Sequence, residues 1–110
     1  MKAILKKPGE RPEIIDIENE LRALQKAVGG HIETFTFAVD ACVICDEEGR
    51  FKGYKHNTVV SGVEFVGPIL VVGIEGEDFA DVPQPETTME LLWPTAEHKK
   101  RPVFRTKTGQ

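Results

Sequence analysis

The run Pro68-Ile69-Leu70-Val71-Val72 is as long as any apolar stretch in this chain. It falls far short of the ~20 residues that a membrane-spanning helix needs. It has the length of a strand, it is aliphatic, and glycines at 67, 73 and 76 punctuate it. Such a run reads as a buried strand. A buried strand requires partners on its edges and a cover for its side chains, and much of the remaining sequence has those patterns.

Lys2 to Lys7, "KAILKK", reads as a first strand, and "PGERP" after it as a turn. "EIIDI", residues 13–17, suits a strand with one buried face. A helix follows. Asn19 is its expected N-cap, with Glu18 and Glu20 near the positive end of the helix dipole. Leu21, Leu24 and Val28 form one apolar stripe, and Gly29-Gly30 ends the helix. "HIETFTFAV", residues 31–39, alternates and reads as a strand, and "ACVIC", residues 41–45, reads as another. "DEEG" is a turn, and "RFKGY", residues 50–54, is expected to pair back as a hairpin. Residues 55–62 read as the least regular part, and "EDFADVPQPE" as a loop. Thr87 to Trp93 reads as a short second helix, with Thr87 and Glu90 at capping-box spacing. The sum is α+β: a small, mostly antiparallel sheet, one main helix packed on a face, and a short C-terminal helix.

The chain has 110 residues, enough for one domain, here expected over residues 1–94. Residues 95–110 read as a basic, flexible C-terminal tail. Up to residue 98, nine Lys and Arg stand against eighteen Asp and Glu, a net −9. Lys99, Lys100, Arg101, Arg105 and Lys107 give the tail +5. An acidic body argues against broad nucleic-acid binding, which would have to use the tail. "MKAILKKPGE" has no apolar core of a signal peptide, and two cysteines without such a leader suggest a reducing cytoplasm.

Cys42 and Cys45 are the one eye-catching pair. A structural zinc site needs four ligands, and no second pair and no compact His pattern accompanies them. Strand residues three apart point to opposite faces, so the two sulfurs would converge only if the strand broke. A redox Cys-x-x-Cys opens a helix, whereas Asp46-Glu47-Glu48-Gly49 is a turn. The pair reads as structural, and no metal or other cofactor is expected. Asp46-Glu47-Glu48 and Glu75, Glu77, Asp78, Asp81 lack the spacing of a calcium loop. Gly29-Gly30 ends a helix, whereas phosphate loops precede one. Ser61 is the only serine. The densest polar segment is Tyr54, Lys55, His56, Asn57, Thr58 and Ser61, the expected ligand or partner surface.

"MKAILKKPGERPEIIDIENELRALQKAVGGHIE", "VICDEEGRFKGYKHN" and "GPILVVGIEGEDF" resemble the family called domain of unknown function 3846, of phages, plasmids and Gram-positive bacteria. Leu24-Gln25 with Val28-Gly29-Gly30 and Ile32-Glu33 is the most specific part of the likeness. The resemblance covers residues 1–80 and brings no catalytic residues. It implies a small accessory product of a mobile element. The expected function is therefore a non-catalytic binding protein that counters a host defence by binding a protein or small nucleotide. A metal-dependent nucleotide or nucleic-acid hydrolase using His31, His56 and nearby carboxylates is the alternative, and a DNA-associated regulator using the tail is another. Homo-oligomerisation through open sheet edges is compatible with each.

Overall fold

The computed structural model describes residues 1–93. The aliphatic run lies in strand β7 (Ile69–Glu75), with β1 (Lys2–Lys6) hydrogen-bonded along one edge and β4 (Ala41–Asp46) along the other. The sheet continues outward to β2 (Glu13–Asp16) beyond β1 and β3 (Ile32–Ala38) beyond β4. β8 (Asp78–Ala80) turns back on the end of β7. Every pairing is antiparallel. The architecture is thus the expected α+β one, with a mostly antiparallel sheet and two helices.

The sheet is covered on both faces, which is why β7 shows no polar alternation. Leu70 and Val72 point to one face with Ala3, Cys42 and Ile44, and helix α1 (Leu21–Val28) lays Leu24 and Val28 on them. Ile69 and Val71 point to the other face with Ile4 and Val43. There the cover is a hairpin, β5 (His56–Val60) and β6 (Val63–Val66), together with helix α2 (Pro85–Leu92). Val60 and Phe65 of the hairpin and Leu92 of α2 complete that second core.

Several local expectations change. Asn19 does not cap α1: its amide donates to the Phe79 carbonyl at 3.0 Å, and Glu20 holds the N-cap place without a side-chain bond. Leu21 is 58% exposed, so the apolar stripe reduces to Leu24 and Val28. Gly29 ends the helix as expected, at φ +100°. Residues 50–54 do not pair back on β4. Bonds from the N–H groups of Lys52 to Glu48, Gly53 to Arg50 and Tyr54 to Gly49 coil them into successive turns. The segment expected to be least regular is instead the covering hairpin. Its two-residue turn, Ser61-Gly62, has φ +49° and +78°, the left-handed pair that matches strand twist in tight hairpins. Part of the expected loop after β7 is β8. Helix α2 starts at Pro85, whose fixed φ favours a first helical position, rather than at Thr87.

One polar contact pins the hairpin to the sheet. The register of β5 on β6 shifts between His56 and Thr58, leaving Asn57 as the extra residue of a bulge. Its side chain turns inward. The amide nitrogen donates to the carbonyls of Lys6 (2.8 Å) and Gly67 (2.7 Å), and the amide oxygen accepts from Lys6 Nζ at 3.0 Å. Lys6 is 2% exposed. Its ammonium also donates to the Lys7 carbonyl and stands 5.0 Å from the centre of the Trp93 ring. Burial holds the Lys6 ammonium below its ordinary pKa, against the opposing pull of Glu10. Asn57→Ala would strip partners from two carbonyls and from this ammonium. Each buried polar group left unpaired costs about 1–3 kcal/mol. The variant is expected to unfold at distinctly lower denaturant than wild type, and an unchanged midpoint in a urea titration would contradict the pinning role.

Candidate binding surface

The residues of the expected surface do not act together. Asn57 is buried in the clamp just described, a correction forced by the bulge that turns it inward. Tyr54 is half-buried, its ring seated against the backbone of Gly67: a Cβ there would stand 2.3 Å from Tyr54 Cδ2. Gly29 and Gly30 make room in the same way. A Cβ on Gly29 would lie 2.6 Å from the Tyr54 hydroxyl, and one on Gly30 would lie 2.8 Å from Asp46 Oδ2. Lys55, His56 and Ser61 are exposed, and Thr58 is half-buried. His56 and Ser61 sit at opposite ends of β5, about 16 Å apart at ~3.3 Å per strand residue. They cannot share a reaction centre. The basic positions Lys99, Lys100, Arg101, Arg105 and Lys107, and His98, lie outside the described residues.

Beneath the glycines is a second polar knot. Asp46, at the end of β4, is buried and accepts from Lys52 Nζ at 2.7 Å and from the Glu48 N–H at 2.8 Å. Lys52 also donates to the Gly29 carbonyl at 3.1 Å, placing a cation at the negative end of α1. Burial of Asp46 favours its neutral form. The hydrogen bonds from Lys52, the Glu48 N–H and Tyr54 outweigh it and hold the carboxyl below the usual carboxylate range. This knot joins α1, β4 and the 47–54 turns, and its role is to hold them together.

The exposed chemistry lies beside the hairpin. His56 Nδ1 is 2.7 Å from Glu64 Oε2, and Arg50 donates to Glu64 Oε1 and to its carbonyl at 3.4 and 2.9 Å. Bonds from His56 and then Arg50 hold the Glu64 carboxyl below its ordinary pKa. Arg50 and Glu64 line a cleft of about 310 Å³ between β3 and β6. Phe35, Phe65 and Val63 are among its apolar walls, Glu33 and Glu47 among its acidic ones. Phe51 at its rim is 94% exposed. A larger open cleft, about 800 Å³, lies between α2 and the β3–β4 turn. Phe37, Ala41, Pro83 and Leu91 line it with the carboxylates Asp40, Glu86 and Glu90. Leu91 is 60% exposed. Of these lining residues the sequence patterns singled out Glu33, Glu47 and Glu90, each in another role and none as part of a cleft. The Ser-Gly turn was the available signal, since it implies a hairpin and hence a wall facing β3.

His31 is exposed, with Nδ1 3.8 Å from Glu47 Oε1. Gln25 contributes its carbonyl, which accepts the N–H groups of Gly29 and Gly30. Among the described residues no three His, Cys, Asp or Glu side chains gather as metal ligands. No helix among them is long and apolar enough to cross a membrane.

The match to a family model runs over residues 1–92, the whole of the sheet and both helices. The chain belongs to the family described as domain of unknown function (DUF3846). No curated protein and no solved structure matches it. Within this DUF3846 domain the Gly29-Gly30 unit, the Glu-Glu-Gly turn and Asn57 have structural explanations: close approach of Tyr54 and Asp46, the turn onto Lys52, and the Lys6 clamp.

In the DUF3846 domain the cysteines stand on opposite faces of β4. Cys42 packs under α1, and Cys45 packs on the other face at the smaller cleft. Burial raises both thiols; that of Cys45 is pushed up to about 11, with Glu33 and Asp46 adding to the effect and Arg50 opposing it. Iodoacetamide at neutral pH should therefore label the native protein far more slowly than free glutathione, and both sites should react at once in urea. Rapid native labelling, counted by mass spectrometry, would contradict the burial. For Asp46 the sign is that of a depressed acid. Its stabilisation is present above the ordinary carboxylate range near pH ~4 and is lost as pH falls below it. Asp46→Asn should lower the melting temperature at neutral pH and flatten its fall between about pH 5 and about pH 3. Parallel melting curves of the two proteins against pH would remove Asp46 as the cause.

Proposed function

We propose that this chain is a non-catalytic accessory binding protein that holds a protein partner on the face bearing β3, the β5–β6 hairpin and α2. The observation that supports this is the pair of open clefts along β3, each with apolar walls and carboxylates at its margin. Exposed Phe51 and Leu91 beside them are the kind of large apolar side chain that anchors an interface. The margins favour a partner with basic and apolar side chains. A small nucleotide fits them less well: its phosphates would meet Glu33, Glu47 and Glu64, while Arg50, the cation in the smaller cleft, is already hydrogen-bonded to Glu64. The setting in a phage or mobile element and a part in countering a host defence rest on the family resemblance, a cytoplasmic site of action rests on the cysteine usage, and all three form part of the proposal.

The chemistry of the exposed groups supports binding rather than turnover. Among the described residues His56 has a carboxylate partner, Glu64, while Ser61 is at the far end of its strand and Cys45 is protonated at neutral pH. Leu91→Asp and Phe51→Asp change exposed side chains, so both variants should fold as wild type does. Each should weaken binding of a partner captured from a bacterial host by roughly tenfold or more, about 1.4 kcal/mol. Equal binding by wild type and both variants in a calorimetric titration would take the partner off this face.

A further inference from the structure

The backbone of β3 shows which way the open side of its sheet faces. The Glu47 N–H donates to the His31 carbonyl at 2.9 Å, so His31 and Glu47 form a hydrogen-bonded pair beside the β3–β4 ladder. Such pairs alternate along an antiparallel ladder. With Glu33 opposite Cys45 and Phe35 opposite Val43, the N–H and C=O groups of Glu33 and Phe35 turn to β4. The other side of β4 agrees. The Ile74 N–H donates to the Asp40 carbonyl, which turns Cys42 and Ile44 toward β7 and leaves Val43 and Cys45 for β3. The N–H and C=O groups of Ile32, Thr34 and Thr36 therefore point out of the sheet, and no strand among the described residues pairs with them.

The strand order β2-β1-β7-β4-β3 ends in two edges, and they differ. β2 has four residues, with Glu13 and Asp16 exposed, and short charged edges resist pairing. β3 has seven, "IETFTFA", with Glu33 as its one charge and neither Lys nor Pro.

The side chains specify what fits this edge. A strand laid along β3 sends alternate side chains to the hairpin face of the sheet. There they meet Glu33 and Phe35, two residues apart, where the smaller cleft opens beside Glu64 and Phe65. Among the described residues Glu33 has no ion-pair partner, whereas Arg50 is engaged by Glu64. A basic side chain suits the first position and an apolar one the second. A second copy of β3 fits poorly. It carries no Lys or Arg, and it would bring another Glu33 to a cleft that already holds Glu33, Glu47 and Glu64.

We propose that a partner protein docks on β3 as an added strand, its backbone bonded to Ile32, Thr34 and Thr36, with a Lys or Arg facing Glu33 and an apolar side chain facing Phe35. In such strand addition the main-chain bonds supply affinity and the pockets for alternate side chains supply selectivity. The occupant rests on the binding role proposed above; the open edge does not.

The probe is a synthetic peptide, acetyl-Thr-Arg-Thr-Val-Thr-Arg-Thr-amide, added to the full-length chain while amide hydrogen exchange is followed residue by residue. In the free chain the N–H groups of Glu33 and Phe35 should exchange slowly and those of Ile32, Thr34 and Thr36 fast. With peptide at about ten times its Kd, these three should exchange roughly tenfold more slowly. Methylating the two nitrogens of the peptide's third and fifth residues, which face β3, should abolish the effect. Methylating those of its Arg and Val residues should not. Glu33→Lys alters an exposed side chain, so the variant should fold as wild type does. It should bind this peptide roughly fivefold more weakly and prefer the version with Glu in place of Arg. Protection of Ile32, Thr34 and Thr36 already present in the free chain would overturn the open edge. Protection that rises with protein concentration alone would put a second copy there and overturn the proposed occupant. No peptide effect at these amides, or equal effects of the two methylated peptides, would overturn strand addition. A captured partner indifferent to Phe51→Asp and Leu91→Asp would leave the peptide result standing, and a failed peptide would leave that dependence standing, so the two ideas fail separately.

Discussion

β7 has to be dry on both sides. Ile69 and Val71 project from one face of the sheet and Leu70 and Val72 from the other, all fully buried. A single helix covers only one face, so a two-layer fold could not hold this strand. The chain supplies the second cover from the segment between β4 and β7, and α2 completes it. Burying a Val, Leu or Ile side chain is worth about 1.5–3 kcal/mol. Four such residues on one seven-residue strand make β7 the element on which the two cores depend.

Apolar cover is non-directional and would let the hairpin slide or turn over the sheet. The polar contacts remove that freedom. Asn57 reaches the backbone of β1 and of the β6–β7 connection together, while the Lys6 ammonium lies beneath Trp93. Asp46 does the same for the opposite layer through Lys52 and the end of α1. Both sites bury charge or an amide, which is costly unless every donor and acceptor is matched. That requirement makes each pin specific to one arrangement of its elements. It also explains why polar residues that looked available for a ligand are engaged inside the molecule.

Period and punctuation were legible in the sequence. The aliphatic run, the alternation of 31–39 and the Gly29-Gly30 stop each report a local backbone choice, and each corresponds to an observed element. The faces of Cys42 and Cys45 followed from strand alternation alone. What was hidden depended on contacts distant in sequence. Asn57 looks like a loop residue until Lys6, fifty-one positions away, is placed beside it. Residues 50–54 have strand-like composition, but Lys52 is drawn to Asp46 and the backbone closes into turns. The clefts were not legible for the same reason: their walls come from β3, α2 and the hairpin, and no short window contains two of these elements.

The pairing order has a consequence for how the chain reaches this state. β1 is the first strand made, yet one of its partners is β7, with Ile4 set against Val71. β4 likewise waits for β7, and the Lys6 ammonium waits for Asn57. Closing such long loops costs entropy before any contact repays it, and chains dominated by non-local pairing fold slowly. During synthesis the first sixty or so residues therefore emerge with β1 and β4 each missing a neighbour. The β1–β2 and β3–β4 hairpins can form at that stage, but the two halves join only when β7 arrives between them. Assembly is gated by a strand from the last third of the domain, and a nascent chain truncated before residue 69 has no centre on which to close.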